Sequence, residues 1–336
     1  MIVGIKKAIL HIADVTSGLS VFSDEGMDVE DAQINTFITK HIEKLYDSGS
    51  LRPAEFREAS GLRAKLTQYK NGETTFSELS KAAAERLFDA MLTVEEPKPC
   101  DLIVTEFTAG DEPYIGILKC DNRVGMTHTV VQDGGKIFNN IINHYAILPP
   151  VTTKIAEAAF INKDTEKIRY AGKRYKIEGE PVDVIAELLL ECDYEISPRE
   201  SANTLRRTAK KVAVENGTDA IAAQARIKEY VTESIEENNY EFVDTDKVAE
   251  KVFEGLPAIR DEFAAKLERA GVPKKVEATK YLTKKMTSNI KLSTDTGVDL
   301  SFPPEYYKNP DYIELITNED GTLSIKINNI TEIINR

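Results

Sequence analysis

No apolar run in the chain approaches the roughly 18–20 residues that span a bilayer, which excludes a transmembrane helix. Cysteine is scarce: Cys100, Cys120 and Cys192 are the only three, and no two stand at C-x-x-C spacing. An odd count without a framework fits a reducing compartment and buried structural thiols rather than a disulfide scaffold. Histidine is as sparse. His11, His41, His128 and His144 are scattered, and none lies four residues from another, so no helical pair is available to zinc. The phosphate-cradling loops are missing as well. Neither G-x-x-x-x-G-K-[ST] nor G-x-G-x-x-G occurs, and there is no G-x-S-x-G elbow. The opening Met1-Ile2-Val3-Gly4-Ile5-Lys6-Lys7 puts its charges behind its apolar residues, the reverse of a secretory signal. A cytoplasmic protein is expected, with no catalytic residue, metal or cofactor.

What is present is enough to build cores. The 336 residues are 41% hydrophobic, too apolar for a disordered chain, and the length suggests two domains. We place them at 1–192, an α+β domain, and 193–336, a helical segment with C-terminal β-hairpins. Acids outnumber bases, 56 against 43, for a net charge of −13. Duplex DNA is a dense polyanion that is bound by neutralising its phosphates with Lys and Arg. A chain this acidic can touch it only through a locally basic patch, or through a protein partner.

Periodicity gives the elements. Ile2 to Ile12 reads as a strand. Ile34, Ile38, His41 and Leu45 recur at helical spacing up to Gly49, which makes His41 a core or boundary histidine. A second helix runs from Ser77 to Met91, and Glu95-Glu96-Pro97-Lys98-Pro99 breaks it. The period then shortens. Asp101–Phe107, Tyr114–Cys120, Thr127–Gln132, Lys136–Tyr145, Ala158–Ile161 and Lys167–Ile177 read as strands of one antiparallel sheet with helices packed on it. Ser197-Pro198-Arg199-Glu200 is a capping box with Pro at the first helical position. Three further helices follow, from Thr218, over Thr245–Phe253, and from Pro257 to Gly271. Hairpins at 289–302 and 312–327 close the chain.

One arrangement imitates a metal-dependent nuclease: Asp101 opens a strand, Glu106 lies along it, and Lys119 is on the next. Ile117 stands where the second acid should be, so magnesium would lack a ligand. Three basic clusters suit phosphate better. The first is Arg199, Arg206, Arg207, Lys210 and Lys211 on the Ser197 helix. The second is Lys274, Lys275, Lys280, Lys284, Lys285 and Lys291, and the third is Lys163, Lys167, Arg169, Lys173, Arg174 and Lys176. The first, with Lys274 to Lys285 of the second, is our candidate nucleic-acid-binding set. Each cluster is also what an ordinary solvated face looks like. The helices around Asn216-Gly217-Thr218 read as an αα-hairpin rather than a DNA-reading helix-turn-helix, because the second is rich in Glu. Between Glu229 and Glu262 acids prevail, a surface suited to a basic protein partner.

The order of elements resembles the bacterial nucleoid-associated protein family of the YejK, or NdpA, type. The residues that carry this are Ile2 to His11, then Asp101-Leu102-Ile103-Val104-Thr105-Glu106-Phe107 paired with Tyr114-Ile115-Gly116-Ile117-Leu118-Lys119. Ala158-Ala159-Phe160-Ile161, Glu191-Cys192-Asp193, the Ser197 helix and Leu323-Ser324-Ile325-Lys326-Ile327 add to it. The resemblance implies a place in the nucleoid, no enzymatic activity, DNA contacted directly or indirectly, and a link to a type II topoisomerase. The alternatives are a module that docks such an enzyme through its acidic helices, and a divergent nuclease. A homodimer is carried as a further expectation, and no membrane partner is.

Overall fold

The computed structural model describes residues 2–16, 18–237, 241–286, 288–307 and 309–332. It is 36% helix and 33% strand, an α+β fold as expected. The chain divides into two compact units, Met1–Glu195 and Ile196–Arg336.

The first unit contains β1 (Val3–Asp14), β2 (Leu19–Val21), α1 (Ala32–Asp47), β3 (Arg52–Phe56), α2 (Gly61–Lys70) and α3 (Phe76–Leu92). There follow β4 (Cys100–Ala109), β5 (Glu112–Asp121), β6 (Arg123–Asp133), β7 (Lys136–Ile147), β8 (Glu157–Asn162) and β9 (Ile168–Ala171). The unit ends with β10 (Arg174–Ile177), β11 (Glu180–Asp183), a π-helix at Val184–Leu190 and β12 (Cys192–Tyr194). Eight strands form one antiparallel sheet in the order β12-β3-β9-β8-β5-β4-β1-β2. Helices cover both faces. Leu62 and Leu66 of α2 and Leu79, Ala83 and Leu87 of α3 pack with Leu102, Val104, Ile115 and Ile117 on one side. Ile38, Ile42 and Leu45 of α1 pack with Ile103, Phe107 and Leu118 on the other. A sheet buried on both faces explains why β4 and β5 read as nearly continuous apolar runs. A side chain at Gly116 would meet Thr105 and Phe107 at 2.8 and 3.0 Å, so the centre of β5 has room only for hydrogen.

Two expectations need correction. Thr127–Gln132 and Lys136–Tyr145 do not join the main sheet. As β6 and β7 they form a separate two-stranded ribbon. The run Lys167–Ile177 is not one strand either, for it splits into β9 of the main sheet and β10, which pairs with β11. The three cysteines are buried, and burial pushes the Cys100 and Cys192 thiols up to about 12. His41 is a core histidine whose Nε2 lies 3.1 Å from the Pro149 carbonyl.

The second unit contains α4 (Pro198–Glu215), α5 (Ala220–Glu237), β13 (Phe242–Asp244), α6 (Thr245–Val252), α7 (Pro257–Arg269) and β14 (Lys275–Glu277). Next come α8 (Lys280–Met286), β15 (Ile290–Ser293), β16 (Asp299–Phe302), β17 (Ile313–Thr317) and β18 (Leu323–Ile327). Its core joins Leu205, Ala209 and Val212 of α4 to Ile227 and Val231 of α5 and to Phe263 of α7. Among the described residues no helix is long and apolar enough to cross a membrane.

Candidate nucleic-acid interface

The three residues of the nuclease-like arrangement are not brought together. Asp101 and Glu106 lie five positions apart on β4, which puts them on opposite faces about 16 Å apart. Lys119 sits opposite Leu102, on the face away from Asp101. It is sealed in the sheet, where its ammonium donates to Glu157 at 2.8 Å and also contacts Asp121, while Tyr175 donates to the same Glu157 oxygen at 2.6 Å. Burial alone would lower the Lys119 pKa. The charges of Glu157, Cys100, Tyr175 and Asp121 together override that, and the net shift is upward. This is an internal ion pair, and removing one partner of such a pair is costly.

Two members of the third basic cluster, Lys163 and Lys173, are answered by carboxylates on the same unit. Lys163 pairs with Glu106, and Lys173 reaches Asp121 at 2.7 Å and Glu157 at 3.3 Å. The neighbouring Glu166 takes Arg63 at 2.9 Å and Lys70 at 3.0 Å.

The second unit is different, and its geometry starts with α4. The capping box forms as read: Glu200 N–H donates to Ser197 Oγ at 3.2 Å, and Glu200 accepts from Ser197 N–H at 2.9 Å. That fixes where the helix begins. Its apolar stripe then turns Leu205, Ala209 and Val212 inward and leaves Arg206, Arg207 and Lys210 on an outer flank. Gly217, with φ +64°, ends the helix and returns the chain as α5. Ala220, Ile221, Gln224 and Lys228 of α5 form a wall beside α4. α8 and β15 supply Tyr281, Lys284, Lys285 and Lys291.

These walls enclose a cleft of about 900 Å³. Seven of its lining residues are cationic: Arg206, Arg207, Lys210, Lys228, Lys284, Lys285 and Lys291. None of the lining residues is acidic. Among the described residues, no carboxylate lies within ion-pair distance of Arg207, Lys210, Lys284, Lys285 or Lys291. Arg206 is held from the side by Gln224. Its Nε donates to Gln224 Oε1 at 3.3 Å, and Gln224 Nε2 donates back to the Arg206 carbonyl at 2.7 Å. Arg199 stands at the edge of the cleft, its guanidinium 4.7 Å from the Tyr281 ring centroid.

Lys228 has no counterpart in our candidate set. It is 7% exposed, and its ammonium donates to the carbonyls of Ser288 and Asn289 at 2.6 and 2.7 Å and to Ser288 Oγ at 3.1 Å. It thereby ties α5 to the joint between α8 and β15, the two elements that carry the other lysines. Burial, then the charges of Arg206, Lys285 and Lys291, push its pKa down to about 8. All of these neighbouring charges have the same sign, so the site carries a positive field that no local acid cancels. In sequence Lys228 stands between Ile227 and Glu229 on a Glu-rich helix. The only signal for it is its i, i+4 relation to Gln224.

The candidate residues therefore separate. Arg206, Arg207, Lys210, Lys284 and Lys285 converge on the cleft, and Arg199 flanks it. Lys211 turns toward Glu215 at 3.8 Å, and Lys274 pairs with Asp246 at 3.1 Å. Lys275 lies over the Phe242 ring, 4.5 Å from its centroid. Lys280 opens α8 and is not among the cleft's lining residues. The acids of α5 take another stripe, where Glu229, Glu233 and Glu236 are exposed.

Fold and site together define the class: an α+β chain, acidic as a whole, that gathers unopposed cations into one cleft. The family model described as nucleoid-associated protein YejK matches residues 9–335 of the chain. The chain belongs to that family. No curated protein matches it.

Proposed function

We propose that this protein is a non-enzymatic component of the cytoplasmic nucleoid that binds DNA directly through the cleft between α4, α5, α8 and β15. The observation that carries the reading is the seven cations lining one cleft without an acid among them. Such a surface can neutralise phosphates without regard to base sequence, which is how non-specific binding is achieved. Arg206, held by Gln224, suits two-pronged contact with a phosphate. The lysines act as point charges along the backbone.

The test is fluorescence anisotropy with a labelled duplex at fixed salt. Replacing Arg206, Arg207, Lys210 and Lys284 by Glu is expected to weaken binding at least about 100-fold, alike for unrelated sequences. Unchanged affinity would refute the reading.

A second reading rests on the exposed acidic stripe Glu229, Glu233 and Glu236 of α5. On this reading the stripe docks a basic surface of a DNA enzyme such as a type II topoisomerase, and contact with DNA is indirect. Capture of the enzyme from nuclease-treated lysate, lost on replacing the three glutamates by Lys, supports it. Capture that disappears with the nuclease counts against it.

A further inference from the structure

The cleft between α4, α5, α8 and β15 holds more than a crossing DNA strand uses. Its volume of about 900 Å³ makes it roughly 10 Å across, and a strand presents one phosphate per about 3.4 Å of axis, so about three phosphates meet the seven cations. Those phosphates stay at the mouth, because the backbone of a long polymer runs past an opening of this size. The floor lies deeper. Lys228 is 7% exposed and Ile290 is 5% exposed. The Lys228 ammonium directs its three N–H bonds to Ser288 and Asn289, so what it offers the cleft is charge alone. Burying that charge among other cations is unfavourable, and only an anion that enters the cleft offsets it.

The lining is also not cationic throughout. Ala220, Ile221, Ile290 and Leu292 are apolar and Tyr281 is aromatic. A surface made for phosphate alone has no use for them. Ile221 and Leu292 are half-buried. Ile221 stands three residues before Gln224 on α5, about 5–6 Å along the same face from the side chain that holds Arg206. An apolar seat therefore lies beside a fixed guanidinium, with the exposed Lys284 and Lys285 across from them. The volume is that of a small-molecule site. Its division into apolar and cationic parts matches a molecule that joins a flat ring to a short chain of phosphates.

We propose that the cleft binds a nucleoside polyphosphate, with the base on Ile221 and Leu292 and the phosphate chain on Arg206, Lys284 and Lys285 above Lys228. A nucleoside triphosphate brings about four charges on three linked phosphates. That density exceeds what one DNA strand delivers to the same space, and it relieves the repulsion among the lining cations. Ile221 and Leu292 read no base edge, and the Gln224 amide is already bonded to Arg206 through both its oxygen and its nitrogen. Adenine and guanine are therefore accepted alike. Because the ligand and DNA draw on the same cations, each excludes the other. That exclusion rests on the DNA reading above, whereas occupancy of the cleft by a nucleotide does not.

The test is isothermal titration calorimetry of the full chain with ATP, GTP, AMP and inorganic tripolyphosphate, alongside displacement of a labelled duplex. ATP and GTP are expected to bind with Kd below about 100 µM, within about threefold of each other, and to displace the duplex. AMP, short of charge, and tripolyphosphate, which lacks a base, are expected to bind at least about tenfold more weakly. Ile221→Asn and Leu292→Asn, each with an unchanged far-ultraviolet circular dichroism spectrum, should bring ATP down toward the affinity of tripolyphosphate. Lys284→Gln with Lys285→Gln should weaken both ligands. A chain that binds duplex but not ATP overturns the inference and leaves the DNA reading standing, and one that binds neither removes both. Tripolyphosphate bound as tightly as ATP overturns the base seat. ATP that binds without displacing the duplex refutes the exclusion. A single-stranded oligonucleotide held more tightly than duplex and not displaced by ATP overturns the inference too, by assigning the cleft to unpaired DNA.

Discussion

Each unit carries a conspicuous cluster of cations, but the two clusters have opposite surroundings. On the sheet unit Lys163, Lys173 and the buried Lys119 are each answered by Glu106, Asp121 or Glu157. On the helical unit Arg207, Lys210, Lys284, Lys285 and Lys291 face a shared space with no acid among its lining residues. The clusters look alike in composition. Surroundings decide what each can do: a paired cation holds elements together, whereas an unopposed group of them raises its own electrostatic energy and is relieved by an anion.

The largest effect that separates them is on stability. Lys119→Ala takes from the buried Glu157 its closest cation, leaving it Tyr175 and the more distant Lys173, and is expected to cost the protein about 3 kcal/mol in denaturant unfolding, while DNA affinity stays the same. Loss of affinity at unchanged stability would erase the distinction. The next effect is on binding. The four Glu substitutions in the cleft are expected to reduce affinity by at least about 100-fold, whereas Lys163→Glu and Lys173→Glu leave it within about twofold.

A smaller effect is on pH. The Lys228 pKa is pushed down to about 8 from the ordinary 10.5. An anion in the cleft raises it again, so binding takes up a proton between those values. Affinity is therefore expected to fall as pH rises through 8, by up to about tenfold by pH 9. In the free protein the unfolded chain holds more protons over the same window, so the contribution of Lys228 to stability rises from pH 8 to 10.5. Lys228→Met should flatten both profiles. The smallest effect is at Gln224, where Ala frees the Arg206 side chain and is expected to weaken binding about threefold.

Much of this arrangement was legible in the sequence where a local rule sufficed. The capping box fixed the start of α4, and its apolar stripe placed Arg206, Arg207 and Lys210 outside. Other elements escaped for physical reasons. β3 contains Pro53, which argues against a strand. It is tolerated because β12 pairs only with Ala54 to Phe56, so the missing N–H is not needed on that side. α2 is short and has only Leu62 and Leu66 as buried residues, and α8 reads as a run of lysines rather than a helix. The ribbon reads as part of the main sheet because its strands have the composition of core strands. What keeps it apart is pairing, which composition does not encode. The same holds for the site: spacing put cations on α4 and around Lys284, but only tertiary packing shows that they share a cleft while Lys211 and Lys274 turn to acids.

The most direct test of the central claim, that cations are segregated into one phosphate-binding cleft, is the slope of log affinity for duplex DNA against log salt. The account predicts a steep negative slope for the full chain, shallower by roughly one unit for each cleft cation that ceases to contact phosphate when replaced by Gln. A slope near zero, or one that Gln substitutions in the cleft leave unchanged, would contradict it.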